Sequence, residues 1–269
     1  MSLISQPQEA RLRGLRAFLM DLDGVVYTGD TPIPGAAEFL RFLRQSGRRF
    51  QCITNNSTLS AAQFVAKLRG MDMPVDADQV LTSSQATALY LEERFGRGAR
   101  VMVIGEEGLV RALLDQGFQL VLRQPDVVVC GLDRRLSYER LKNACFAINE
   151  GAAFVATNPD LSLPTEHGFL PGNGAALAYI QTATGVPPVV IGKPESTMLD
   201  ISMRLLSVQP AETAMVGDGL ITDTLAGERA GVTKILVLTG VATRADLPTS
   251  PAQPDFIFDN LSALEALLR

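Results

Sequence analysis

Two aspartates separated by a single residue follow a short apolar run near the start of the chain. The run Ala17 to Met20 leads into Asp21, then Asp23, and at once Gly24. Alternate side chains of an extended chain point the same way, so both carboxylates should leave the end of a buried strand side by side. Like charges that close repel unless a cation lies between them or one carboxyl keeps its proton. The pattern indicates a metal or acid–base site or, alternatively, a polar strand end with a glycine turn.

Three more predicted strands end in residues that could handle phosphate. These residues are Thr54, Asn55 and Asn56, then Lys193, then Asp218 with Asp223. If all four strands belong to one parallel sheet, their carboxyl ends meet at the edge where such sheets bind ligands. Carboxylates hold Mg²⁺ beside a substrate phosphate, and a hydroxyl and an ammonium group complement the phosphate charge. Each pattern alone is as readily a turn or a helix start, but together they favour attack of Asp21 on phosphorus.

Strand-like and helix-like segments alternate along the chain, which predicts an α/β fold with parallel sheets covered on both faces. We expect two modules, a Rossmann-like core from residues 1–81 and 188–269 and an inserted α/β domain from 82–187. Residues 1–16 are predicted to be a leader that frays or packs late. A long irregular loop is predicted from Thr157 to Gly172, because this stretch is rich in proline and glycine.

Local patterns also predict individual elements. A loop is expected from Tyr27 to Gly35, where Pro32 and Pro34 lie. Helices are expected at Ala36–Gln45 and Thr222–Ala230, and a capping box of Ser60 and Gln63 is expected to begin another.

Composition excludes several classes of protein. Of the 269 residues, 46% are hydrophobic and 20% are charged, which is ordinary for a globular protein, and the net charge is −5. A negative chain is a poor partner for nucleic acid or anionic membranes, and no apolar run approaches the roughly 18 residues that span a bilayer. Three scattered cysteines are too few for a disulfide framework or a zinc site. We therefore expect a soluble protein of a reducing compartment, with a cytoplasmic location.

The motifs together resemble a known family. Asp21-Leu22-Asp23-Gly24-Val25 resembles motif I of the haloacid dehalogenase (HAD) superfamily of phosphatases, and Ile53–Ser57 resembles motif II. Ile191–Pro194 resembles motif III, and Val216–Asp218 with Thr222–Asp223 resembles motif IV. Pro171–Ala175 is similar to the subfamily with a large inserted α/β cap, the enzymes like NagD and 4-nitrophenylphosphatase. The resemblance implies a HAD core in which the cap, residues 82–187, selects the substrate.

The resemblance implies a mechanism with two neighbouring acids. Asp21 is expected to be the nucleophile, and Asp23 the acid that protonates the leaving oxygen and later deprotonates water. Mg²⁺ is expected on Asp21, on the main-chain carbonyl of Asp23, and on Asp218. Dehalogenases of the superfamily lack the second acid because a halide leaves without a proton. Asp23 therefore favours cleavage of phosphate monoesters.

The remaining core motifs are expected to bind the phosphoryl group. Thr54 and Lys193 would hold it, helped by the main chain at Asn55 and Asn56. Asp223 would steady Lys193 or a metal-bound water. The departures from the family pattern are Gly219 and Ile221, at positions of motif IV where relatives commonly carry polar residues.

Substrate choice is expected to lie in the cap. Asn158 and Asp160 are candidates to face a small phosphorylated metabolite such as a nucleotide, sugar phosphate or aryl phosphate, although each could be a solvated loop residue. His167, the only histidine, is expected to be exposed rather than catalytic. Relatives of this cap type often pair through the cap, so a homodimer is possible.

Two other classes of function compete with the phosphatase. A catalytically silent HAD-fold module that binds or regulates would keep the fold without turnover. A nucleotide-dependent oxidoreductase would need a glycine fingerprint after the first strand, where Asp21 and Asp23 instead place two negative charges.

Overall fold

The computed structural model of the protein describes residues 5–165 and 168–269, and His167 lies outside them. The described chain divides into two compact units. The first unit comprises the chain up to Thr54, Val65–Leu81 and Pro194–Arg269, and the second comprises Asn55–Phe64 and Thr82–Lys193.

The strands and helices alternate along most of the described chain. The strands are β1 (Ala17–Asp21), β2 (Tyr27–Thr28), β3 (Thr31–Pro32), β4 (Arg49–Thr54), β5 (Val80–Thr82), β6 (Arg100–Ile104), β7 (Gln119–Leu120), β8 (Val127–Cys130), β9 (Ala153–Ala156), β10 (Ser162–Thr165), β11 (Gly168–Pro171), β12 (Val189–Val190), β13 (Thr213–Gly217), β14 (Thr233–Val237) and β15 (Phe256–Phe258). The α-helices are α1 (Gln6–Arg13), α2 (Ala36–Gln45), α3 (Ala61–Gly70), α4 (Ser83–Phe95), α5 (Glu107–Asp115), α6 (Tyr138–Asn149), α7 (Asn173–Thr184), α8 (Thr197–Leu206), α9 (Leu225–Arg229) and α10 (Leu261–Leu268).

The first sheet has the strand order β15-β14-β13-β1-β4-β5. Strand β1 lies at its centre and pairs in parallel with β13 on one side and β4 on the other. Its residues Ala17 to Met20 are 0% exposed, as a strand covered on both faces requires. The register places Met20 beside Val216, and Asp21 beside Ile53. Asp21 therefore reaches the carboxyl edge of the sheet together with Thr54 and Asp218.

Part of residues 1–16, which were predicted to fray or pack late, forms helix α1. Helix α1 is largely polar, but Leu12 is 0% and Leu15 2% exposed. The Arg11 guanidinium lies 3.1 Å from Asp255 and donates a hydrogen bond to Thr233 Oγ1, also at 3.1 Å. Leu12 within the helix, Leu15 just after it and long-range polar contacts hold this segment, and they give no clear periodic pattern in the sequence.

The second sheet has the strand order β12-β9-β8-β6-β7, and the pairings are parallel. The α/β class with parallel sheets is thus confirmed. The expectation that the strand before Lys193 shares a sheet with β1 is wrong, because β12 pairs with β9 through Val189–Val155 and Val190–Ala156. Chain order cannot reveal this, since a two-residue strand carries too little pattern to choose a neighbour.

Two segments predicted as loops contain short antiparallel hairpins. Strands β10 and β11 pair within the stretch from Thr157 to Gly172, and β2 pairs with β3 between Tyr27 and Pro32. Proline and glycine suggested irregular chain in both places, but both residue types are compatible with short edge strands. Among the described residues, every helix is too short or too polar to cross a membrane.

Candidate active site

Three carboxylates meet at the carboxyl edge of the first sheet. Each of Asp21, Asp218 and Asp223 offers one oxygen that lies within 4.8 Å of the oxygens offered by the other two. Asp218 and Asp223 are 4% and 1% exposed, and Asp21 is partly buried. Asp21 ends β1, Asp218 follows β13, and Asp223 lies one turn further along the chain. We call these three residues the acidic triad.

Asp218 is enclosed by two glycines and one main-chain donor. The amide of Val241 donates to Asp218 Oδ2 at 2.6 Å. A Cβ added at Gly24 would lie 2.6 Å from Asp218 Cγ, and one added at Gly240 would lie 2.5 Å from the same atom. Gly24 also has φ +79°, a left-handed conformation that is unfavourable for residues with a Cβ. The glycine after the two aspartates thus leaves room for the third acid, besides allowing the turn.

Asp223 is positioned by a π-helical turn, Leu220–Thr224, rather than by the regular helix predicted from Thr222 to Ala230. The Gly219 amide donates to Asp223 Oδ2 at 2.9 Å, and the Asp223 amide donates back to the Gly219 carbonyl at 3.1 Å. A Cβ at Gly217 would lie 2.5 Å from Asp223 Oδ2. Single π turns in helices are frequent at functional sites. This turn places the Asp223 carboxylate close to Gly217, at the end of β13.

Asp23 is an exposed residue beside the acidic triad, but it is not part of it. Desolvation of its carboxyl raises its pKa above the ordinary value, although the charge of Lys67 and the Gly24 amide act in the opposite direction. Lys67 Nζ lies 4.3 Å from the centre of the Tyr27 ring and 3.1 Å from Asp30. Sequence reasoning missed Lys67, because its place within α3 gives no sign that it lies near Asp23. A carboxyl with a raised pKa is suited to carry a proton.

Thr54 ends β4 and is 6% exposed, one residue beyond the partner of Asp21. The residues predicted to form one site are divided between the two units. The first unit contains Asp21, Asp23, Thr54, Asp218 and Asp223. The predicted residues Asn55, Asn56, Asn158, Asp160 and Lys193 belong to the second unit.

Within the second unit, several of the predicted residues are bonded to one another. Asn55 Nδ2 donates to the Lys193 carbonyl at 2.8 Å, and Asn158 Nδ2 donates to the Asn55 carbonyl at 2.8 Å. Asn158 is 4% exposed, and its Oδ1 accepts from the Asp160 amide at 3.2 Å. Asn56 Oδ1 accepts from the amide and the hydroxyl of Thr58. The side chains of Asn158 and Asn56 thus organise local main chain, beside any role in substrate binding.

The acidic triad suits a hard divalent cation. Three carboxylates within 4.8 Å repel one another strongly when two are almost fully buried. A cation removes this cost, and carboxylate oxygens are the ligands that Mg²⁺ and similar ions prefer. The predicted metal ligands are the carboxylates of Asp21 and Asp218 and the main-chain carbonyl of Asp23, and the third carboxylate that the fold gathers here is that of Asp223.

Comparison with known proteins gives consistent matches over nearly the whole chain. A family model described as "Haloacid dehalogenase-like hydrolase" matches residues 18–119, and one described as "HAD-hydrolase-like" matches residues 190–264. The chain is 40% identical to "5'-nucleotidase YutF" of Bacillus subtilis, over 93% of this chain and 98% of that protein. It is also 40% identical to an "Acid sugar phosphatase" of Staphylococcus epidermidis, over 96% and 99% of the two chains.

A solved structure, that of 4-nitrophenylphosphatase from Thermotoga maritima, matches with a TM-score of 0.92 and 39% identity. The match covers 96% of this chain and 99% of that one. The sequence-based prediction of the family is confirmed. With its central Asp21 strand, its acidic triad and relatives that are named phosphatases, the chain belongs to the haloacid dehalogenase-like hydrolases.

Proposed function

We propose that this protein is a Mg²⁺-dependent phosphomonoesterase that hydrolyses small phosphorylated metabolites through an aspartyl-phosphate on Asp21. The observation that carries the proposal is the acidic triad at the end of the central strand. The proposal is supported by relatives whose names describe phosphatases.

The chemistry divides between two neighbouring carboxyls. The Asp21 carboxylate attacks phosphorus while the bond from phosphorus to the ester oxygen breaks, and the Asp23 carboxyl gives its proton to the leaving alcohol. Asp23 then takes a proton from the water that hydrolyses the aspartyl-phosphate. The raised pKa of Asp23 supports this role, because the group must hold a proton when the substrate arrives.

The other residues of the proposed site would bind the metal ion and the transferring phosphoryl group. Asp21 and Asp218, with the main-chain carbonyl of Asp23, would hold Mg²⁺, and Asp223 would steady that ion or its ligands. When bound, the ion neutralises charge on the phosphoryl oxygens. Thr54 and Lys193 would hold the transferring group together with the main chain of Asn55 and Asn56. Lys193 is 2% exposed, and an ammonium group so deeply buried is costly unless it has anionic partners.

The proposed substrates are nucleotides, sugar phosphates or aryl phosphates, and relatives named 5'-nucleotidase, acid sugar phosphatase and 4-nitrophenylphosphatase support this choice. We assign the choice among such compounds to an inserted cap of residues 82–187, with Asn158 and Asp160 as candidates to face the substrate. A cytoplasmic location, supported by the free thiols Cys52, Cys130 and Cys145, and a homodimer formed through the cap also remain part of this proposal.

The test uses hydrolysis of 4-nitrophenyl phosphate with and without Mg²⁺. Asp21→Asn and treatment with EDTA should each abolish turnover, because one removes the nucleophile and the other the cation. Asp259→Asn is the matched control, since this acid is 69% exposed and pairs with Arg244 at 3.0 Å. Normal turnover by Asp21→Asn, or by the EDTA-treated protein, would refute the proposal. Failure of the unaltered protein on a broad panel of phosphate esters would favour the silent binding module.

A further inference from the structure

The side chain of Asn55 bonds to both main-chain groups of Lys193. Its Oδ1 accepts from the Lys193 amide at 2.9 Å, and its Nδ2 donates to the Lys193 carbonyl at 2.8 Å. The same Nδ2 also donates to the Asp160 carboxylate, at 3.1 and 3.3 Å from its two oxygens. Both N–H groups and the oxygen of the amide are therefore used within the second unit.

These bonds take the place of main-chain hydrogen bonds to β9, which end just before Lys193. Beyond β12 the main chain continues along β9, as the Ile191 amide donates to the Ala156 carbonyl at 3.0 Å and the Gly192 amide to the Thr157 carbonyl at 2.9 Å. At Lys193 the main-chain amide instead donates to Oδ1 of the Asn55 side chain. Residue 194 is proline, which has no amide to extend the ladder. The Asn55 side chain thus supplies the last pair of hydrogen bonds that fixes the main chain at Lys193.

Asn55 is itself fixed and closely packed. Its carbonyl accepts from Asn158 Nδ2 at 2.8 Å and from the Ser83 hydroxyl at 2.7 Å. A Cβ at Gly192 would lie 2.5 Å from Asn55 Oδ1 and equally close to the Thr157 carbonyl oxygen. Gly192 therefore permits the close approach of the Asn55 side-chain amide. The hydrogen bonds between Asn55 and Lys193 have little freedom to shift.

We propose that Asn55 is a positioning residue, whose side-chain amide holds the main chain of Lys193 so that the ammonium group binds the substrate phosphoryl group in a fixed place. The inference rests on the role given to Lys193 in the proposed function. Alanine at position 55 leaves both main-chain groups of Lys193 without this partner. Aspartate keeps an acceptor for the Lys193 amide, but it cannot donate to the carbonyl, and it puts a second carboxylate beside Asp160.

The experiment is a double-mutant cycle with Asn55→Ala and Lys193→Met. It is read both as kcat/KM for 4-nitrophenyl phosphate and as the dissociation constant of inorganic phosphate. A misplacement near 1 Å lowers catalysis on the order of 100-fold, so Asn55→Ala should lower kcat/KM about 10- to 100-fold and weaken phosphate binding. In the Lys193→Met background the same change should have no further effect.

Two controls separate positioning from general damage to the fold. Asp126→Ala removes comparable bonds from the same unit, since the Asp126 carboxylate accepts from the Arg100 amide at 2.8 Å and from the Arg100 guanidinium at 2.9 Å. It should lower thermal stability as Asn55→Ala does, but leave phosphate binding near that of the unaltered protein. Asn55→Asp preserves the size of the side chain and serves if Asn55→Ala does not fold.

The outcomes distinguish this inference from the function on which it rests. Equal losses from the Asn55 change with and without Lys193 would overturn the positioning role, while the phosphatase proposal would stand. An unchanged phosphate affinity in Lys193→Met would refute the role of Lys193 in the proposed function, and the inference with it. A loss that vanishes in the Lys193→Met background supports both.

Discussion

Replacing Gly24 by alanine tests whether the shape of the acidic triad depends on a missing side chain. The substitution has two physical effects. It places a residue with a Cβ at φ +79°, and it brings that Cβ to 2.6 Å from Asp218 Cγ. The first effect acts on stability, and the second acts on the position of the carboxylate that we assign to the metal.

The two effects have different sizes. A left-handed conformation costs alanine about 1–2 kcal/mol relative to glycine. Ordinary van der Waals contact begins at 3.4 Å, and Asp218 Oδ2 lies closer to the new Cβ than Cγ does, so Asp218 or the residue 24 loop must move by at least about 0.8 Å. The Val241 amide holds Oδ2, the same oxygen that the new Cβ would approach most closely, which leaves little room to yield. Misplacement near 1 Å costs roughly 100-fold in rate, equivalent to about 2.7 kcal/mol in the activation free energy.

Gly29→Ala is the matched control. Gly29 belongs to the same unit and has φ +57°, and a Cβ at this position would meet no atom within 4 Å. Both variants should therefore unfold a few degrees earlier in a thermal melt, by about 2–4 °C per kcal/mol. Hydrolysis of 4-nitrophenyl phosphate, measured across a Mg²⁺ titration, should fall about 100-fold in Gly24→Ala and remain near the original rate in Gly29→Ala. Equal activity of the two variants would refute the reasoning.

Three further predictions concern single groups. Because the pKa of Asp23 is raised and this carboxyl must hold a proton when the substrate arrives, kcat/KM should fall as pH rises through that pKa. Asp23→Asn should lose this dependence and slow alkyl phosphates more than 4-nitrophenyl phosphate, and identical losses on both substrates would count against a proton donor. Burial raises the pKa of the Cys52 thiol to about 12. At pH 8 a thiol reagent should therefore react first with the partly exposed Cys145 and should reach Cys52 only when the protein unfolds. Rapid labelling of Cys52 in the native protein, located by mass spectrometry, would contradict this. Glu106 and Arg134 form a forked pair at 2.7 and 2.8 Å that lowers the pKa of Glu106, so Arg134→Ala should cost up to about 1 kcal/mol in urea unfolding at pH 7. That difference should disappear as pH falls through the lowered pKa, where the folded carboxyl takes up its proton, and a constant difference down to pH 2 would exclude the ion pair as its cause.

Local patterns in the sequence predicted most of the regular elements. Helix α2 begins and ends at the predicted residues, Ala36 and Gln45, because Phe39, Leu40 and Leu43 give it a buried face. The capping box of Ser60 and Gln63 also forms as predicted, with Gln63 Oε1 accepting from the Ser60 amide at 2.7 Å. Both signals lie within one turn of the chain, and such short-range preferences survive folding.

The remaining features depend on contacts between distant parts of the chain. The sheet to which β12 belongs is decided by its neighbour β9, which lies more than thirty residues earlier. The π turn at Leu220–Thr224 follows from the close approach of Asp223 to Gly217, which no local preference encodes. The motifs predicted which acids would gather at the sheet edge. The detailed arrangement, with Asp223 beside Asp21 and Asp23 outside the triad, is a property of the folded chain.

The enclosure of Asp218 bears on which ions the protein can discriminate. One oxygen of its carboxylate, Oδ2, accepts from the Val241 amide, and the main chain at Gly24 and Gly240 approaches the same oxygen closely. Calcium commonly takes carboxylates through both oxygens and gathers about six to eight ligands, whereas magnesium keeps a compact octahedron of about six. A carboxylate confined in this way would offer a metal its other oxygen alone, which suits the compact Mg²⁺ site that we propose better than a Ca²⁺ site.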